Sequence, residues 1–181
     1  MMLKLRAPLR TPVSAQQITS LNVGDRPFIS GTIITMRDQA HKRALEQGKI
    51  PVKIRDQVLY HCGPLVRKEK NVWKVVAAGP TTSSRMESFE AEFIEKFGPR
   101  IIIGKGGMGT LTSAALKKYG AVYCDFPGGA AVLAASKIKE VLDVKWLDLG
   151  LPEAVWVFIV ENFGPLVVSM DSHGGNLRSK K

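Results

Sequence analysis

The segment that most restricts the fold runs from Ile101 to Cys124: three isoleucines, the loop Gly104-Lys105-Gly106-Gly107, a helical stretch from Met108 to Tyr119, a stop at Gly120, and a short run Ala121 to Cys124. Three β-branched residues are too few for a helix and read as a strand, while a glycine after the last periodic residue supplies a left-handed helix stop. Strand, helix, strand in that order is a βαβ unit, whose two strands lie parallel in one sheet. An α/β fold is therefore expected.

The flanking sequence extends this pattern. Leu3 to Leu9, Gln17 to Val23 and Phe28 to Thr35 read as strands, with Asn22-Val23-Gly24-Asp25 as a turn and no helix signal in that β-rich start. After Arg37, Ala40, Ala44 and Leu45 recur at helical spacing up to Gly48. Leu59 to Cys62 and Val72 to Ala78 read as strands closed by Gly63-Pro64 and Gly79-Pro80. Ser84-x-x-Glu87 reads as a capping box opening a helix with Met86, Phe89, Phe93 and Phe97 on one face, ended by Gly98-Pro99. Gly128 to Ile138 offers an Ala-rich helix, and Val141 to Leu149, Ala154 to Val160 and Leu166 to Met170 read as closing strands. The expected organisation is one domain over residues 1–177 and a polar, disordered tail over 178–181.

Composition narrows the partners. A 45% apolar content over 181 residues suffices for a core, and 26 Lys and Arg against 16 Asp and Glu give a formal charge of +10, which favours an anionic partner. No apolar run approaches the ~20 residues of a membrane helix and no signal peptide opens the chain, so a cytosolic protein is expected. Cys62 and Cys124 are too few for a disulfide framework or a complete zinc or iron–sulfur site, so any metal must be held mostly by another chain.

Three cations stand at helix starts: Arg37, Arg85 and Lys105. A cation there faces the positive end of the helix dipole at a cost of ~0.3–1 kcal/mol, which a bound anion would offset. Loops at the carboxyl ends of strands converge in open α/β sheets, so the three can share one dicarboxylate; three solvated surface charges are the alternative. Thr81-Thr82-Ser83-Ser84 precedes Arg85, where hydroxyls commonly cap a helix, but a Thr beside a cation can also transfer a proton.

Two shorter patterns point elsewhere. Gly104-x-Gly106-x-x-Gly109 with Asp125 after the next strand matches a dinucleotide fingerprint, which makes a nucleotide-binding α/β module the second reading. Gly104-Lys105-Gly106-Gly107 is also similar to a KH loop, but that loop joins two helices and the isoleucine strand precludes it; nucleic-acid binding ranks third. His41 and His61 are scattered and read as packing residues, and His173 lies in a polar terminal loop.

Taken together, Arg37-Asp38-x-Ala40-His41, Tyr60-x-Cys62-Gly63-Pro64, Ala78-Gly79-Pro80-Thr81-Thr82-x-x-Arg85-Met86, Gly104-Lys105-Gly106-Gly107-Met108 and Leu149-Gly150-Leu151-Pro152-Glu153-Ala154 resemble the β subunit of class I, iron–sulfur-dependent fumarases and the related L-tartrate dehydratases. The resemblance spans roughly Ile18 to Leu177. It implies a swivelling β/β/α domain and a hydro-lyase interconverting fumarate and L-malate, with L-tartrate or mesaconate-type dehydration as the alternative. By the same resemblance Thr81 is the base that takes the C3 proton of malate, and Arg37, Arg85 and Lys105 bind the substrate carboxylates. A 4Fe-4S cluster would be carried by a partner α subunit, with no metal on this chain. The isolated chain is expected to self-associate through an apolar rim around its cleft.

Overall fold

In the computed structural model, which describes residues 8–178, the chain builds a three-layered α/β fold. In chain order its elements are β1 (Leu9–Arg10), α1 (Ala15–Thr19), β2 (Ile29–Met36), α2 (Asp38–Gln47), β3 (Val58–His61), β4 (Leu65–Glu69), β5 (Val72–Ala77), α3 (Glu87–Phe97), β6 (Ile101–Gly104), α4 (Thr110–Tyr119), β7 (Val122–Asp125), α5 (Ala131–Ser136), β8 (Ile138–Lys145), β9 (Val155–Phe163) and β10 (Val167–Met170). The main sheet runs β10-β7-β6-β3-β2-β9-β8, with β1 also paired to β2. At its centre β2, β3, β6 and β7 are mutually parallel, and β9 and β10 close the two sides antiparallel.

The parallel strands are apolar on both faces because both are covered. Ile33, Val58, Tyr60, Ile101, Ile103, Val122 and Cys124 enter one core, whereas Ile34, Leu59, Ile102 and Tyr123 enter the other. The first core lies under α1, α5 and the two-stranded β4–β5 sheet, whose Trp73 meets Trp156 edge-on at 5.2 Å. The second packs against α2, α3 and α4, the last two stopped at Gly98 and Gly120 in the left-handed region, as is α2 at Gly48.

Four elements depart from the sequence expectation. Gln17 to Val23 is no strand: Ser14 and Gln17 form a reciprocal capping box that starts α1, with Ile18 buried beneath it. The hairpin strand β4 was not anticipated, since its alternation is short and its residues mostly exposed. The Ala-rich helix is confined to Ala131–Ser136, and β8 starts at Ile138 and ends at Lys145, because Trp146 adopts a left-handed conformation and a 3-10 turn over Leu147–Leu149 follows. The strand expected over Leu3 to Leu9 lies outside the described residues except for its end, where Leu9 opens β1. No described helix is long and apolar enough to cross a membrane.

Candidate active site

Because β2, β3, β6 and β7 are parallel neighbours, the residues that follow them share one edge of the sheet, the edge where open α/β folds bind ligands. Arg37 directly follows β2, Cys62-Gly63 follows β3, Lys105 follows β6 and Asp125 ends β7. The segment Pro80–Ser83 is laid across the ends of β3 and β6. Pro80 bridges Cys62, the Thr81 N–H donates to the His61 carbonyl at 2.7 Å, Thr82 bridges Lys105, and the Ser83 N–H donates to the Lys105 carbonyl at 3.0 Å. Thr81 is thus tied to the end of the strand between those of Arg37 and Lys105. Arg85 follows in a 3-10 turn over Ser83–Met86 and pairs with Asp38 at the start of α2.

Glycines make this crowding possible. A Cβ on Gly63 would stand 2.7 Å from Arg37 Nη1 and from the Pro152 carbonyl oxygen, and one on Gly104 would collide with Ser83 Oγ. Gly106 and Gly107 sit at φ of 83° and 77°, the left-handed region that side chains avoid.

Carboxylates of the chain itself stand beside Arg37 and Arg85 and cap α4, so part of the compensation expected from a bound anion is internal. Glu153 accepts from the Gln39 N–H at 3.0 Å at the start of α2 and lies 3.2 Å from Arg37 Nε. Glu87 accepts from the N–H groups of Gly109, Leu111 and Thr112 at 2.6, 3.1 and 3.2 Å, and from the Thr112 hydroxyl at 2.7 Å. Glu87 therefore caps α4, 22 or more residues downstream, rather than forming a capping box with Ser84, which makes no cap hydrogen bond. Arg37 and Arg85 keep carboxylate partners, whereas Lys105 forms no ion pair among the described residues.

The same capping removes the nucleotide reading. The amides at the α4 N-terminus that would cradle a pyrophosphate are occupied by Glu87, Gly109 is required because a Cβ there would fall 2.5 Å from that carboxylate, and Asp125 pairs with Arg178 at 2.7 Å. Arg178, grouped with the tail by sequence, is thus engaged; residues 179–181 lie outside the described residues. His173 donates through its Nε2–H to the Thr19 carbonyl at 2.9 Å, since a carbonyl only accepts, and so ties the C-terminal loop to the end of α1.

Beneath the edge lies a cluster that sequence reading missed. His41, His61 and Glu90 are fully buried, with His41 Nε2 and His61 Nε2 at 3.3 and 3.2 Å from Glu90 Oε2. Burial pushes the His61 imidazole below its ordinary pKa. Burial alone would raise Glu90, but the facing imidazoles outweigh it and hold the carboxyl below the usual range. Ser83, not Ser84, is the buried hydroxyl: it lies 2.9 Å from His61 Nδ1 and accepts from the Tyr123 hydroxyl at 2.9 Å. The signal was present, since Glu90 sits at i+4 from Met86 and i−3 from Phe93, a charge on an otherwise apolar helix face.

The cysteines do not fit a cluster site. Cys62 is buried just after β3 and Cys124 within β7, and burial drives both thiols far above their usual pKa, whereas a metal ligand must be a thiolate. Exposed Leu151, Val132 and Leu177 stand at the site's margin: Leu151 precedes Pro152 beside Gly63, Val132 follows Ala131 beside Gly79, and Leu177 precedes Arg178 beside Gly107.

Fold and edge together define an α/β protein that presents a hydroxyl-rich loop with Arg37 and Lys105 at the carboxyl ends of its parallel strands and Arg85 joined to the same edge through Asp38. A family model described as Fumarase C-terminus matches residues 3–181. The chain is 47% identical over 170 residues to L(+)-tartrate dehydratase subunit beta of Escherichia coli (strain K12), covering 93% of this chain and 85% of that protein. It is 42% identical to the putative L(+)-tartrate dehydratase subunit beta of Methanocaldococcus jannaschii, covering 91% and 87%. Against the putative fumarate hydratase class I of Geobacillus stearothermophilus identity is 46%, over 93% of this chain but 33% of that longer protein. The chain belongs to the class I fumarate hydratase and tartrate dehydratase β-subunit family, whose members are hydro-lyase subunits.

Proposed function

We propose that this chain is the β subunit of a two-subunit hydro-lyase that interconverts a four- or five-carbon 2-hydroxydicarboxylate and its unsaturated product. The observation that carries the reading is the convergence of Arg37, Thr81 and Lys105 on neighbouring strand ends, with Arg85 linked to the same edge through Asp38. Arg37, Arg85 and Lys105 bind the two carboxylates: Glu153 and Asp38 orient the guanidinium groups, and the unpaired Lys105 contributes the net charge. Thr81 takes the C3 proton, its backbone fixed by the bond to the His61 carbonyl at the strand end between those of Arg37 and Lys105. A base and three cations lack a group to activate the leaving hydroxyl. In this reading the α subunit supplies it as a 4Fe-4S cluster, a Lewis acid, because neither cysteine here suits a cluster. The exposed apolar residues at the site's margin suit burial against that subunit, or self-association without it.

Fumarate and L-malate are the substrates first expected; the 47% identity to a tartrate dehydratase β subunit favours L(+)-tartrate as a second reading. The test is anaerobic co-expression with the α subunit, followed by assays with L-malate, fumarate, mesaconate and L(+)-tartrate. Turnover is expected from the complex and from neither subunit alone, with the ranking of kcat/KM identifying the substrate. Turnover by this chain alone, or none from the complex with any of the four, overturns the reading.

A further inference from the structure

The His41–His61–Glu90 cluster touches no surface, yet its bonds end on the site. His41 Nδ1 lies 2.9 Å from the Arg37 carbonyl oxygen, which also accepts the His41 N–H at 3.0 Å. A carbonyl has no proton to give, so His41 Nδ1 carries one. His41 Nε2, His61 Nε2 and both Glu90 oxygens have no hydrogen-bond partner outside the cluster among the described residues. Phe89 and Phe93 flank the His41 ring at 5.6 and 4.5 Å between centroids and shut out water. A bare Nε2 lone pair facing a dry carboxylate would leave two acceptors opposed at 3.3 Å, so a proton lies on the His41–Glu90 contact as well. On the other arm Tyr123 donates to Ser83, whose own proton is then free for His61 Nδ1, leaving His61 neutral with its Nε2–H toward Glu90. The ionisable groups facing the centre are Glu90 from α3, His41 from α2, His61 from β3 and, more distantly, Asp38, which also acts on His61.

We propose that Glu90 is a positioning residue of the site: it pairs with a doubly protonated His41 that holds the Arg37 backbone, and it orients His61 and Ser83, which hold the loop bearing Thr81. The proposal rests on the hydro-lyase reading for its consequence but not for its first test. In 15N spectra of the full chain at pH 7, both ring nitrogens of His41 are expected to be protonated and only Nε2 of His61, with the His41 signature lost in Glu90→Gln. A neutral His41 in the unsubstituted chain overturns the proposal whether or not the complex is a hydro-lyase. So does one zinc per chain retained after dialysis against zinc and lost in Glu90→Gln, because a metal then takes the proton's place.

The second test is kinetic. In the reconstituted complex, Glu90→Gln is expected to lower kcat/KM by at least about tenfold per folded site, with KM raised through Arg37 and kcat lowered through Thr81. Ser83→Ala severs only the His61 arm and should lower kcat while leaving KM within about twofold, which serves if Glu90→Gln does not fold. A cluster that merely stabilises the fold would lower the melting temperature and leave both constants of the folded fraction unchanged, and that result overturns the proposal. Absence of turnover in the unsubstituted complex counts against the hydro-lyase reading alone.

Discussion

The two faces of the central sheet solve packing in opposite ways. Under the β4–β5 hairpin the core is aromatic, with Tyr60, Phe126 and Phe163 in mutual contact at 5.1 to 6.5 Å between centroids and Trp156 beside Phe158. Under the helices the core encloses the ionisable set His41, His61 and Glu90. Alternation along one strand separates them: Tyr60 points to the first face and His61 to the second. Apolar burial is non-directional and gives stability, whereas a buried ion pair stabilises little and costs much when broken, so its geometry is what it contributes. The charged layer lies under the loops that carry Arg37 and Thr81; the aromatic layer supports the sheet from behind.

The largest expected effects separate these roles. Thr81→Ala, which removes one hydroxyl at the edge, should cut turnover of the complex by about 10²–10⁴ with KM little changed, measured by steady-state kinetics. Loss of stability alone, with kcat intact, would return Thr81 to a structural role. Phe163→Ala, in the aromatic layer, should cost about 3–5 kcal/mol in denaturant unfolding and leave kcat of the folded complex unaltered. A kcat that falls with it would break the division between the faces. Glu87→Ala removes the cap of α4 on the helix side and should cost about 1–2 kcal/mol, read from the same unfolding curves.

The most gradual effect, spread over several pH units, is the pH dependence, and its sign belongs to the charged layer. His61, depressed by burial, stays neutral in the fold while the unfolded chain takes up a proton below its ordinary value near 6.5. Stability is therefore full above that value and lost as pH falls, by at most about 1.4 kcal/mol per pH unit for one group. Glu90, held below the carboxylate range, adds a loss in the same direction once pH drops beneath 4.5. Unfolding curves from pH 6.5 down to about pH 3 should show this decline, and Glu90→Gln should remove the part below 4.5. A flat profile would mean that His61 and Glu90 titrate alike in the folded and unfolded chain.

Much of the frame was legible from the chain. The isoleucine run, the helix stops at Gly48, Gly98 and Gly120, and the parallel order of the βαβ unit all follow from local conformational preference. The capping box at Ser14 is equally local, but the β-rich flanks outweigh it in a reading by pattern and favour a strand through Gln17. The placement of Arg37 and Lys105 on one edge was also accessible, since parallel strands must end on the same side.

What the sequence by itself determined is which segments are strands and helices and which residues can begin or end them, because backbone preference and hydrophobic period act over a few residues. Only the tertiary structure decided the partners. Glu87 caps a helix that begins 23 positions later, Ser83 rather than Ser84 enters the core, and Glu153 and Asp38 neutralise cations more than 40 positions away in sequence. A buried charge is tolerated only where complementary groups meet it, and which groups meet is set by the packing of α2 and α3 against β3, not by any spacing along the chain.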